Sequence, residues 1–136
     1  MGLTITINKI HLFLKNHINS NHQTMKIYHN PRCSKSREGL GILQTAKVDF
    51  EIIDYIKNPL SFQDLKEILE KLGIPAIDLV RKNEAVWKEK FKGKTLSEAE
   101  VIEAMVAYPK LIERPIVLKE NSAVIGRPPE KIKSLF

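Results

Sequence analysis

The sequence predicts an α/β fold in the order βαβ, helical insertion, ββα, closing on a mixed four-stranded sheet. Three observations carry this. Two short runs rich in β-branched and aromatic residues flank a stretch with helical spacing. Two helix starts with capping signatures follow. Two more apolar runs, joined by a polar turn, then precede Pro129.

The first strand is Lys26-Ile27-Tyr28-His29, closed by Asn30-Pro31. Ser34 to about Ala46 reads as a helix, because Leu40, Leu43 and Ala46 recur at helical spacing. Residues 48–55 form the second strand, ended by Asn58-Pro59. In a βαβ unit this compact, the strands run parallel and the crossover is right-handed. Ser61-Phe62-Gln63-Asp64 is an acidic variant of a capping box; Phe62, Leu65, Ile68, Leu69 and Leu72 share a face, and Gly73 and Pro75 stop the helix. Ser97 and Glu100 cap a further helix, with Leu96 and Val101 as a hydrophobic staple. That helix is expected to bury Val101, Ile102, Met105 and Val106 and to end before Pro109. Residues 114–118 and 123–127 form a hairpin around residues 119–122, and Pro129 opens a last helix.

With 136 residues, of which 43% are hydrophobic and 28% charged, the chain supports one packed domain and not a disordered one. Residues 1–24 differ in composition and read as an N-terminal extension, with residues 25–136 as the domain and Met25 able to act as initiator. The short apolar stretch from Ile10 to Leu14 has no cleavage site after it, which argues against a signal peptide, and no run is long enough to span a bilayer. A net charge of +6 fits either a nucleic-acid surface or an affinity for small anions. The basic residues form no block and have no aromatic interleaving, so a nucleic-acid partner is not expected. His11, His17 and His22 lack a ligand pattern, and no metal is expected.

The only cysteine, Cys33, cannot form an internal disulfide, so an oxidising compartment is not implied. It stands between the first strand and the first helix, where unpaired N–H groups and the positive end of the helix dipole favour a thiolate. Arg32, Lys35 and Arg37 surround it with positive charge, and His29 is near enough to be its hydrogen-bond partner. A buried structural cysteine would have apolar neighbours instead. Ser36 stands where a dithiol oxidoreductase carries its second cysteine, so any disulfide formed in turnover must involve an external thiol. A phosphatase-type loop would need arginine where Gly39 stands.

The segment from Ile27 to Arg37 resembles the active-site segment of the glutathione/glutaredoxin-coupled arsenate reductases, the ArsC family. Leu79-Val80-Arg81-Lys82-Asn83, Leu111-Ile112-Glu113-Arg114-Pro115-Ile116-Val117 and Ile125-Gly126-Arg127-Pro128-Pro129-Glu130 are similar to family motifs in the same order. The resemblance implies a thioredoxin-like sheet with Pro115 as its cis-proline. It implies Cys33 as nucleophile, Ser36 poising the thiol, and Arg81, Arg114 and Arg127 holding the oxyanion. Guanidinium forks suit a tetrahedral oxyanion on physical grounds as well.

The activity so implied starts when arsenate docks among the three arginines and the Cys33 thiolate attacks arsenic as water leaves. Glutathione then reduces arsenic(V) to arsenic(III), and Cys33 is left as a mixed disulfide that glutaredoxin clears. No bound cofactor is needed beyond glutathione as co-substrate, and a cytoplasmic monomer is expected. Two alternatives stand beside it: an Spx-like regulator that binds RNA polymerase, whose kind carries Cys-x-x-Cys at this loop, and an arsenate-reductase-like thiol protein acting on another substrate.

Overall fold

A computed structural model describes residues 24–136. Apart from Thr24, the N-terminal extension, with its three histidines, lies outside the described residues. The chain runs β1 (Met25–His29), α1 (Ser34–Ala46), β2 (Phe50–Asp54), α2 (Phe62–Leu72), a 3-10 turn (Ala76–Leu79), α3 (Ala85–Lys90) and α4 (Glu98–Ala107). A second 3-10 turn (Pro109–Leu111), β3 (Ile116–Lys119), β4 (Ser122–Ile125) and a C-terminal 3-10 helix (Pro129–Leu135) complete it. The sheet order is β2-β1-β3-β4; β1 and β2 are parallel, and the other neighbours are antiparallel.

The expected element order is the one found, with local differences. The second strand is shorter than residues 48–55, and β3 starts after Pro115, which has no N–H to give to a ladder. The last helix is 3-10, and α3 with the two 3-10 turns is an addition to the insertion, too short to show a periodic apolar pattern. Both capping boxes form: Ser61 Oγ accepts from the Asp64 N–H at 3.0 Å, and Ser97 Oγ accepts from the Glu100 N–H at 3.2 Å. Gly73 adopts a φ of 68° at the C-cap of α2, a conformation that costs glycine nothing. In α4, Ala104 is buried in place of Val106, which is only partly covered.

Strand alternation divides the core into two layers. Met25, Ile27 and Val117 point to the face covered by α1 and the C-terminal 3-10 helix, through Leu43, Ile132 and Leu135. Tyr28, Ile116 and Leu118 point to the other face, which the insertion covers with Leu65, Ile68, Val101 and Met105. Burial of side chains this size, each contributing about 1.5–3 kcal/mol, holds the helices to the sheet.

One contact fixes the depth at which α1 sits. A Cβ at Gly39 would lie 2.8 Å from Pro115 Cγ, and one at Gly126 would lie 2.9 Å from the same atom. Both glycines also face Ile132 Cδ1, at 2.9 and 3.0 Å. The Pro115 ring is wedged between a helix and a strand end. Gly41, two residues on, has nothing within 4 Å of its added methyl.

This contrast yields a stability test. Gly41→Ala should raise the unfolding free energy by roughly 0.5–1 kcal/mol, from helix propensity alone. Gly39→Ala gains the same propensity but should be net destabilising, because overpacking a rigid ring costs about 1–3 kcal/mol. Urea melts of the two variants would refute the wedge if Gly39→Ala were the more stable.

Candidate active site

Topology gathers the functional groups at one end of the sheet. The C-terminal ends of β1 and β2 coincide because those strands are parallel, which sets Asn30 and Tyr55 side by side after the paired residues His29 and Asp54. The start of β3 and the end of β4 reach the same end because both pair antiparallel, with Tyr28 opposite Ile116 and Ile116 opposite Ile125. Cys33, Arg114 and Arg127 therefore emerge together. Arg81 arrives from the insertion by an isolated bridge, Val80 to Ile112, flanked by Arg81 N–H to the Leu111 carbonyl at 2.7 Å and Glu113 N–H to the Leu79 carbonyl at 2.9 Å. The peptide bonds before Pro115 and Pro128 are both cis, the first as the resemblance implied.

Cys33 is the N-cap residue of α1, with extended φ and ψ, and its side chain makes no capping hydrogen bond of the serine kind. Burial alone would raise its pKa. The Ser36 N–H, hydrogen bonding and charge from Arg114, and the Lys35 N–H outweigh burial and set the thiol below its ordinary value. The foremost charge acting on the sulfur is thus Arg114, remote in sequence, ahead of the Arg32, Lys35 and Arg37 side chains expected from proximity. Arg37 turns its Nη1 to the Pro31 carbonyl at 2.9 Å, and Lys35 Nζ lies 3.4 Å from Glu38. Lys35 contributes its backbone instead.

His29 likewise has a different partner from the one expected. Its Nδ1 lies 2.6 Å from Ser36 Oγ, which also accepts the Asn30 N–H at 3.0 Å. Both side chains are buried. Burial holds the His29 pKa below its ordinary value, against the pull of Asp54 and the Ser36 contact. Neutral His29 and Ser36 thereby brace the loop that carries Cys33, and Ser36 meets the sulfur through its backbone.

The three arginines form one connected cluster. Arg114 is buried; its Nη1 donates to the Lys110 carbonyl at 3.1 Å, and its Nε finds no acceptor among the described residues. Arg127 Nη1 donates to the Arg114 carbonyl at 3.1 Å. Glu113 joins the other two: its Oε1 is 3.0 Å from Arg81 Nη1 and 3.3 Å from Arg127 Nε. Arg81 also pairs through Nε with Glu84 at 3.3 Å. Although burial opposes it, Glu113 and then Glu84 raise the Arg81 pKa. These two ion pairs hold the Arg81 guanidinium within the cluster.

Tyr55 and Glu113 are site residues that sequence reasoning did not assign. Burial pushes the Tyr55 hydroxyl up to about 12, and Arg114, Cys33 and Arg81 all act on it. Its hydroxyl donates to the Ile112 carbonyl at 3.5 Å, a long contact. Glu113 stood inside a quoted motif, and its position before Arg114 was the available signal. Among the described residues, no cluster of three histidines, cysteines or carboxylates could hold a metal, and no helix is long and apolar enough to cross a membrane. Two surface grooves, of about 620 Å3 between α2 and α4 and about 590 Å3 between α1 and the C-terminal 3-10 helix, lie away from this chemistry.

The thiolate absorbance of Cys33 should titrate with a midpoint below the free value of about 8.5, and Arg114→Met should raise that midpoint. A folded pKa below the unfolded one makes the thiolate stabilising. That contribution is absent below the folded pKa and complete above the unfolded one. The stability of the native chain relative to Cys33→Ser should therefore grow as pH rises through that window. A wild-type midpoint at or above the free value would refute the assignment.

The ArsC family model matches residues 28–135. The chain is 46% identical over 110 residues to the Escherichia coli K12 protein YfgD, covering 79% of this chain and 92% of that one. It is 40% identical over 112 residues to an arsenate reductase of Haemophilus influenzae, covering 81% and 97%. A solved arsenate reductase from Vibrio cholerae superposes with a TM-score of 0.81 at 38% identity, covering 85% of this chain and all of that one. The mixed sheet with its helical insertion is the thioredoxin-like fold of these proteins, and the chain belongs to the ArsC family.

Proposed function

We propose that the protein is an arsenate reductase that works through the single nucleophile Cys33, with glutathione and glutaredoxin as thiol donors in the cytoplasm. The observation that carries this reading is the Arg114 guanidinium. It lowers the Cys33 pKa on one side and keeps a buried Nε without an acceptor among the described residues, in a cluster with Arg81 and Arg127. A buried donor left unsatisfied costs about 1–3 kcal/mol, and an oxyanion would relieve it. The relatives named as arsenate reductases support the choice of oxyanion.

The steps follow from the chemistry of a lone thiolate. Arsenate binds to the guanidinium donors, and Cys33 Sγ attacks arsenic; a sulfur–arsenic bond forms and water leaves. A glutathione thiolate then attacks Cys33 Sγ. As the disulfide forms, the sulfur–arsenic bonding pair stays on arsenic, which departs as arsenic(III). The mixed disulfide is resolved by a further thiol, because the chain has no second cysteine. The regulator alternative needs a thiol at position 36, and that position holds a fully buried serine bonded to His29 and Asn30.

A coupled assay with arsenate, glutathione and glutaredoxin tests the proposal. Wild type should turn over, and Cys33→Ser should not. Arg81→Lys, Arg114→Lys and Arg127→Lys should each lose about ten- to a hundred-fold in kcat/KM, since a charge-assisted contact is worth roughly 1.5–3 kcal/mol. Arg37→Lys, whose native side chain hydrogen-bonds to the Pro31 carbonyl, should lose less. Absence of turnover in wild type, or near-normal activity in all three cluster variants, would defeat the reading.

A further inference from the structure

Glu113 places a carboxylate among arginines that are read as an oxyanion site. Its Oε1 makes ion-pair contacts to Arg81 at 3.0 Å and to Arg127 at 3.3 Å. The side chain is about three-quarters buried, as is that of Arg81. Its backbone is fixed by the Glu113 N–H bond to the Leu79 carbonyl, and its carboxylate is held by the two ion pairs. A site meant only to maximise anion affinity would not spend two guanidinium contacts on a resident negative charge.

A carboxylate acts differently on two kinds of tetrahedral oxyanion. Arsenate and phosphate keep at least one hydroxyl at neutral pH, and that hydroxyl can donate to a carboxylate oxygen. Sulfate and selenate keep none, so each of their oxygens can only be repelled. Sites built around an acceptor for a substrate hydroxyl reject analogues that lack it, because buried polar groups are then left facing one another unpaired. We propose that Glu113 is a specificity-determining residue: Oε2 accepts a hydrogen bond from the hydroxyl of a protonated oxyanion, and the carboxylate excludes oxyanions that carry no proton. This rests on the three-arginine oxyanion site proposed above and adds to it the property that selects among anions of equal charge and shape.

The test is direct binding of inorganic phosphate and inorganic sulfate to the reduced full chain by calorimetry. A mildly alkaline pH makes hydrogenphosphate and sulfate both dianions. Wild type should bind phosphate more tightly than sulfate, and Glu113→Gln should shrink that preference by on the order of tenfold or more, mainly by admitting sulfate. Equal binding of the two anions by wild type overturns the proposal with no variant required, so an unstable variant does not shield it. A preference that survives intact in Glu113→Gln also overturns it, while leaving the oxyanion site standing. If neither anion binds wild type, or if Arg114→Lys leaves phosphate binding unchanged, the underlying site reading falls, and this proposal with it.

Discussion

The site depends first on the N-terminus of α1 having a sulfur where helices ordinarily place an oxygen. The first-turn N–H groups of a helix must find acceptors. At α2 and α4 the serine hydroxyls of Ser61 and Ser97 supply them. At α1 the residue in that position is Cys33, and the unspent donors of Lys35 and Ser36 act on its thiol. A helix start built without its usual cap is marginally weaker and leaves a stronger acid. The rest of the end of the sheet is arranged around that exchange, with the neutral His29–Ser36 pair holding the loop and Arg114 approaching from β3.

Sheet topology then does what no local signal could. Arg114 and Cys33 lie far apart in sequence, yet antiparallel pairing of β1 and β3 makes them neighbours. The bridge between Val80 and Ile112 does the same for Arg81 and Glu113, from a segment outside the sheet. Charge at the site is therefore balanced more closely than a set of three arginines suggests. Glu113 and Glu84 hold Arg81, Glu113 also holds Arg127, and Arg114, which acts directly on the sulfur, has no carboxylate partner among the described residues.

What was legible in the sequence was legible for reasons of range. Capping boxes involve residues three apart, and both formed with the residues expected. Helix α1 begins and ends where its apolar spacing and the Pro31–Cys33 break place it. Proximity in sequence misled where side chains had alternatives. His29 and Arg37 lie close to Cys33 along the chain, but one turns to Ser36 and the other to Pro31. Tyr55 was hidden because it read as an ordinary strand aromatic, and Arg114 and Cys33 reach it only in the fold. The short α3 and the 3-10 turns carry too few residues to show a period.

The wedge formed by Gly39, Pro115 and Gly126 has a consequence for how sequences of this kind diverge. Each glycine is small because the same proline ring fills the space beside it, and that ring sits directly after Arg114. A larger residue at either glycine is compatible with the fold only if the ring at position 115 gives way, which would shift the arginine. The three positions are thus bound into one inherited unit: substitutions there should be accepted jointly or not at all, however freely the surrounding surface drifts.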